Sequence, residues 1–209
     1  MDRGELIAKR LTALKEELEG QATLVAVSKY SSVVDIQHAL KTGHLDFGES
    51  RVQDLRQKAA TINHPPPRWH FIGHLQRNKV KQLLLTPNLY AIHSVDSCRL
   101  LGELIACEVP LLSSPLSLYF QVNCSGEESK GGVTPGSELD QLVETILSSS
   151  NGKLSLAGLM TMGRIATNNF GLETRQTFSA LRQERDRIAK KFTLSGLGLS
   201  MGMSGDYRI

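Results

Sequence analysis

Seven short β-type runs alternate with seven helix-patterned stretches along the 209 residues, which predicts a parallel α/β fold. So many units in one domain fit a closed (β/α)8 barrel with helices outside better than an open doubly wound sheet, which stays the alternative. Two missing motifs narrow the class. No G-x-G-x-x-G follows the first strand run, which argues against dinucleotide binding, and the absence of G-x-x-x-x-G-K-[ST] excludes the P-loop class.

Each element has its own warrant. Leu6, Ile7, Leu11, Leu14 and Leu18 fall on one face of an opening helix over 2–19, extra to the barrel. TLVAVSK (23–29) is the first strand, and VVDIQHALKTG is a helix stopped by Gly43. DFGES (46–50) is a strand candidate with little pattern, followed by a helix over 51–62. Pro65, Pro66 and Pro67 force a break before the strand RWHFIG (68–73). NKVKQLLL (78–85) predicts a helix, LYAIHSV (89–95) a strand, and SCRLLGELIACE (97–108) a helix. LSLYFQVN (116–123) has the clearest strand alternation. SELDQLVETILSSS (137–150) predicts a helix with a Ser-x-x-Asp start at Ser137. SLAGLMTM (155–162), a long helix over 172–192 and TLSGLGLSM (193–201) complete the series. An eight-stranded barrel then needs a closing strand, so the expectation is one domain over 1–209 that lacks its last strand and last helix.

Composition bounds the function. With 24 Lys+Arg against 21 Asp+Glu, a net charge of +3 gives no electrostatic case for a nucleic-acid or membrane-surface protein. No apolar run reaches the roughly 18–20 residues of a membrane span, and the start lacks a signal-peptide core. Cys98, Cys107 and Cys124 are odd in number and widely spaced, which suits reduced thiols in the cytoplasm.

Three stretches carry chemistry. Alternation puts Val25, Val27 and Lys29 on one face of the first strand. If that face lines the interior, Lys29 stands at the strand's C-terminal end, where barrel active sites lie, partly desolvated and suited to Schiff-base chemistry. The plainer reading is a lysine that ends a strand and reaches solvent. In GLGLSMGMSG (196–205), Ser204 and Gly205 follow the last strand run and offer N–H groups and a hydroxyl to a phosphate, or else form an ordinary glycine-rich turn. In WHFIGHLQRNK, His70 and His74 are about 13 Å apart on an extended strand, too far for one metal ion. His74, Gln76 and Asn78 then line the barrel mouth. Residues 127–132 are either a solvated loop or a flap over that mouth, and Cys124 has no partner that would make it a nucleophile.

The stretches LVAVSK, FGES, WHFIGHLQRNK, IHSVD, GLMTM and LSMGMSGD resemble, in order and spacing, the pyridoxal-phosphate (PLP) homeostasis proteins. These are single-domain PLP-binding barrels similar to the N-terminal domain of alanine racemase. The resemblance implies a covalent PLP aldimine at Lys29 and phosphate contacts from Ser204 and Gly205. Ser200, His74 and Asn78 are lesser candidates for the cofactor cavity. The family usually has Asn where this chain has Ser50, which changes the hydrogen bonding there. It also continues with an Arg-x-Gly element, the arginine facing the ring nitrogen.

A PLP carrier or buffer serving vitamin B6 and amino-acid homeostasis is the expected function, without amino-acid turnover and with no catalytic residue assigned. PLP-requiring apo-enzymes are the partners such a role implies, and a monomer is expected. A racemase-like PLP enzyme is the alternative. Racemisation requires acid/base groups on both faces of the bound substrate. Tyr30, Tyr90, Tyr119 and Tyr207 carry no motif that links them to that task.

Overall fold

Capping chemistry sets the first helix boundaries. In a computed structural model, which describes residues 2–62, 64–108, 115–127, 130–149, 152–163 and 169–209, Asp2 and Glu5 close a reciprocal capping box ahead of α1 (Arg3–Leu18). Ser32 and Asp35 do the same for α2 (Val33–Lys41). The chain packs as two units, residues 1–73 with 81–90, and 74–80 with 91–209.

In the first unit, β1 (Ala26–Val27), β2 (Asp46–Glu49) and β3 (Arg68–Phe71) pair in parallel. Phe47, Trp69 and Phe71 on one face of this sheet are wholly or almost wholly buried, together with Leu55 and Ala59 of α3 (Val52–Thr61). Phe47 and Trp69 pair across the strands with ring centroids 6.0 Å apart. DFGE, weakly patterned in the sequence, is buried throughout, because a strand covered on both faces has no polar side to alternate. β1 is shorter than TLVAVSK suggested. Only Ala26 and Val27 pair with β2, and the chain turns where Ser31 N–H donates to the Ser28 carbonyl at 2.8 Å.

α1 is fastened to α2 by Arg3, whose guanidinium grips the Asp35 carboxylate with both oxygens engaged. That hydrogen bond is the main cause holding Asp35 far below the usual carboxylate range. A carboxyl whose folded-state pKa is depressed stabilises the fold above its unfolded value of about 4 and loses that contribution as pH falls. Urea unfolding midpoints should therefore drop below about pH 4, and Arg3→Ala should flatten that part of the profile. An unchanged profile in the variant would refute the assignment.

In the second unit, the C-terminal part of β4 (Leu89–Val95) leads a parallel series with β5 (Leu116–Gln121), β6 (Leu154–Met160) and β7 (Gly198–Ser200). Leu116, Leu118 and Phe120 share one buried face of β5, in the alternation that the sequence predicted, and leucines of α5 (Cys98–Ala106) and α6 (Ser137–Ser148) are buried too. A Cβ on Gly158 would stand 2.1 Å from the Gly198 carbonyl oxygen, so a glycine there is what lets β6 and β7 approach. β7 is three residues long rather than nine. Thr193 and Gly196 take left-handed conformations, φ 54° and 76°, which no strand accommodates.

The cap expected at Ser137 is not formed. Gly136 holds the N-cap position with φ 94° and no side-chain cap, and Ser137 is the first helical residue of α6. Asp140 is drawn instead to Arg187 and Lys191 of α7 (Phe170–Lys191), at 2.7 and 2.8 Å. Two cations outbid a local backbone donor for that carboxylate. Among the described residues no helix is long and apolar enough to cross a membrane.

Candidate functional site

The sequence-predicted residues fall at strand ends and in the turns that follow them. Lys29 stands immediately after β1 in the turn closed by Ser31, with its ammonium 5.3 Å from the ring centroid of Tyr30. The partial desolvation expected of it is not found: Lys29 is exposed, and its face neighbour Val27 is 53% exposed. The alternation holds through Ser28, which is buried between Val27 and Lys29, so Lys29 shares the face of Val27, and that face is open at this end of the strand.

Beneath this turn lies a polar group that the sequence did not single out. Ser28 and Glu49 are buried, and the Ser28 hydroxyl donates to Glu49 Oε1 at 2.6 Å. Lys58 of α3 reaches up with its Nζ 2.7 Å from the same oxygen and 2.8 Å from the Ser28 carbonyl. An open cleft of about 440 Å³, lined by Lys29, Tyr30, Ser32, Asp54 and Lys58, adjoins it.

Ser50 follows β2, half-buried, and β3 runs out beside it. A Cβ on Gly73 would fall 2.0 Å from the Ser50 carbonyl oxygen, so glycine is required at 73 for this close approach. The two histidines of WHFIGH part ways. His70 is buried with Nε2 3.0 Å from Asp46 Oδ1, whereas His74 is exposed with Nδ1 3.3 Å from Asp96 Oδ2. Burial alone would raise the Asp46 pKa, but hydrogen bonds from His70 and Arg68 outweigh it and hold the carboxyl below its usual value. Asn78 is exposed in a short 3-10 turn, Arg77–Lys79.

In the second unit, β7 ends in Ser200, whose hydroxyl is hydrogen-bonded to His93 Nδ1 at 2.7 Å. The His93 ring stacks on Tyr119, centroids 4.4 Å apart and planes within 12°. Gly202, at φ 89°, then swings the chain into a turn in which Asp206 and Tyr207 N–H both donate to the Met203 carbonyl at 3.0 Å. The Asp206 carboxylate in return accepts the Met203 N–H. Ser204 and Gly205 are exposed at the front of this turn, and among the described residues their N–H groups have no recorded partner. Free N–H groups in succession are what an anion binds.

The segment 127–132 is tied down where it is described. Asn123 Nδ2 donates to the carbonyls of Glu127 and Lys130 at 2.9 Å each, Gln121 Nε2 to Gly131 at 2.8 Å, and Lys130 Nζ to the Gly163 carbonyl. Glu128 and Ser129, which fall within the predicted loop or flap, lie outside the described residues. Burial pushes the Cys124 thiol up to about 11, so it is protonated at neutral pH and has no thiolate to act as a nucleophile.

Sequence reasoning missed two polar groups, Glu49 with Lys58 in the first unit and His93 with Tyr119 in the second. Glu49 and His93 sit inside the quoted stretches FGES and IHSVD. Tyr119 was readable as facing away from Leu118 and Phe120 on β5, but nothing local shows that His93 lies against it.

The model of the alanine racemase N-terminal domain matches residues 4–208. The pyridoxal phosphate homeostasis protein of Schizosaccharomyces pombe is 36% identical over 184 residues, covering 88% of this chain and 75% of its own. The human protein of that name is 37% identical over 200 residues, covering 90% and 70%. Among solved structures, PipY of Synechococcus elongatus with PLP bound superposes with a TM-score of 0.83 at 29% identity, covering 97% of this chain and 91% of PipY. Alanine racemase of Corynebacterium glutamicum superposes at 0.72 with 16% identity over 93% of this chain and 53% of its own, a likeness of fold. The chain belongs to the alanine racemase N-terminal domain family of (β/α) barrels, on the branch of the pyridoxal phosphate homeostasis proteins.

Proposed function

We propose that this protein binds pyridoxal 5'-phosphate and carries or buffers it, without turning over amino acids. The observation that carries the reading is the match to PipY, a relative with PLP bound that covers nearly the whole chain. Two local features fit a phosphorylated aldehyde. The first unit offers an exposed primary amine at Lys29, and the second offers the free N–H groups and hydroxyl of the Ser204–Gly205 turn. When bound, PLP would supply an aldehyde that can condense with a primary amine, releasing water. Lys29 would offer that amine, and Ser204 and Gly205 would hold the phosphate. Ser200, His74, Asn78 and Ser50 belong to the surrounding cavity, with Ser200 oriented by His93. The protein acts as a cytoplasmic monomer of one domain, and apo-enzymes that require PLP receive it. All three cysteines are free thiols, which suits a reducing compartment.

The test is the absorbance spectrum of the purified protein before and after borohydride, with mass spectrometry of the peptide bearing Lys29. A visible band replaced by a phosphopyridoxyl adduct on Lys29 supports the reading, and a colourless protein that takes up no PLP overturns it. Exchange of the Cα proton of alanine in D2O at more than roughly 1 s⁻¹, the pace of an ordinary enzyme, would replace carriage by catalysis.

The phosphate assignment has its own expected result. Charge-assisted hydrogen bonds contribute roughly 1.5–3 kcal/mol each. Ser204→Ala should weaken PLP binding about ten-fold and leave unphosphorylated pyridoxal nearly unaffected. Equal losses for the two ligands, measured by titration, would remove Ser204 from the phosphate site.

A further inference from the structure

We propose that Glu49 and Lys58 form a buried clamp on Ser28, Glu49 on its hydroxyl and Lys58 on its carbonyl, and that Lys58 is thereby a positioning residue for the Lys29 amine. The proposal deepens the PLP reading and, for its functional half, rests on it.

The geometry converges on a single residue. Ser28 N–H donates to the Gly48 carbonyl at 2.9 Å, its hydroxyl donates to Glu49 Oε1 at 2.6 Å, and its carbonyl accepts from Lys58 Nζ at 2.8 Å. Every polar group of the residue before Lys29 is thus committed to β2 or α3. The Ser28 carbonyl also accepts the Ser31 N–H that closes the turn holding Lys29 and Tyr30. Lys58 and Ser31 therefore fix the same oxygen from two directions.

Energetics point away from a purely stabilising role. The Glu49 side chain is 0% exposed and that of Lys58 is 12% exposed. Burying both charges costs several kcal/mol of solvation by order of magnitude, and a packed apolar pair commonly does as well or better for stability. The pairing is also incomplete, since Glu49 Oε2 is buried with no hydrogen-bond partner among the described residues. What an apolar pair would not supply is a donor to the Ser28 carbonyl. An exposed lysine on a flexible stem reacts from wherever its Cα is held, and a displacement of about 1 Å at a reacting group can cost on the order of 100-fold in rate. The clamp acts on the carbonyl of the peptide bond that joins Ser28 to Lys29.

The experiment has a ligand-free arm and a PLP arm. In the first, amide hydrogen exchange is followed at Ser31 in the wild type, Lys58→Met and Lys58→Arg. Exchange at Ser31 should rise at least ten-fold in Lys58→Met and return toward wild type in Lys58→Arg, which keeps a donor. In the second, the rate of growth of the visible band on mixing with PLP should fall at least ten-fold in Lys58→Met, with partial recovery in Lys58→Arg. Lys58→Met leaves a charged Glu49 buried alone, so the double variant Glu49→Gln/Lys58→Met keeps the fold accessible and should show the same two effects. Leu55→Ala, fully buried on the same helix and remote from Ser28 in the hydrogen-bond network, serves as the destabilised comparison. Unchanged Ser31 exchange in Lys58→Met, or an equal slowing of PLP uptake in folded Leu55→Ala, overturns the clamp. A wild type that takes up no PLP overturns the function proposed above and the positioning role with it, while the exchange arm still judges the clamp itself.

Discussion

Lys29→Ala should abolish both the visible band and the borohydride-stable adduct, while leaving the fold intact. Lys29 is exposed and lies against the ring of Tyr30, itself 93% exposed, so truncation removes no buried contact. Surface changes of that kind usually stay within about 0.5 kcal/mol of wild type. Loss of the chromophore at unchanged urea midpoint would assign the covalent bond to Lys29. Residual weak binding through the phosphate turn is expected, because those contacts need no amine. An adduct persisting on another lysine, located by mass spectrometry, would show the assignment to be wrong. Lys58, the nearest alternative in the cleft, already donates to Glu49 and Ser28.

The opposite pattern is expected at Trp69. Trp69 is fully buried and packs against Phe47, and its backbone N–H, which an alanine would keep, donates to the Asn88 carbonyl at 3.0 Å. Truncating a buried tryptophan costs about 3–5 kcal/mol, the transfer term plus the cavity left behind. Against a domain stability of about 5–15 kcal/mol, that is enough to unfold much of the population. Trp69→Ala should lower the urea midpoint steeply, and the fraction that stays folded should bind PLP normally. A folded, fully stable Trp69→Ala that failed to bind PLP would move Trp69 from the core to the cofactor site. The two variants separate the chemistry from the scaffold within stretches that the family shares.

Much of the site's outline was legible because its residues sit where local rules are strong. Lys29 ends a β-rich run, and Ser204 and Gly205 follow a glycine-rich one. The helix over 33–43 announces itself through its apolar pattern and Gly43, and the structure adds the capping box of Ser32 and Asp35. Where local rules competed with distant charges, the outcome was not legible. Ser137 read as a cap, yet Asp140 belongs to Arg187 and Lys191, about fifty residues onward. Lys29 read as partly desolvated, yet the face that it shares with Val27 is exposed where the strand ends.

The sequence by itself determined the alternation of strand and helix, the amphipathic faces and the stretches that mark the family. These follow from periodicity and from side chains acting on their own backbone within a few residues. Only the tertiary structure decided which polar groups meet: Glu49 with Lys58 under Ser28, Asp46 with both Arg68 and His70, and His93 between Ser200 and Tyr119. His93 and Ser200 are separated by 107 positions, and their hydrogen bond depends on strand order and on register shifts in the β4–β5 and β5–β6 ladders. A shift of one residue in a parallel ladder turns every side chain to the other face, so contacts of this kind exist only once the sheet has assembled.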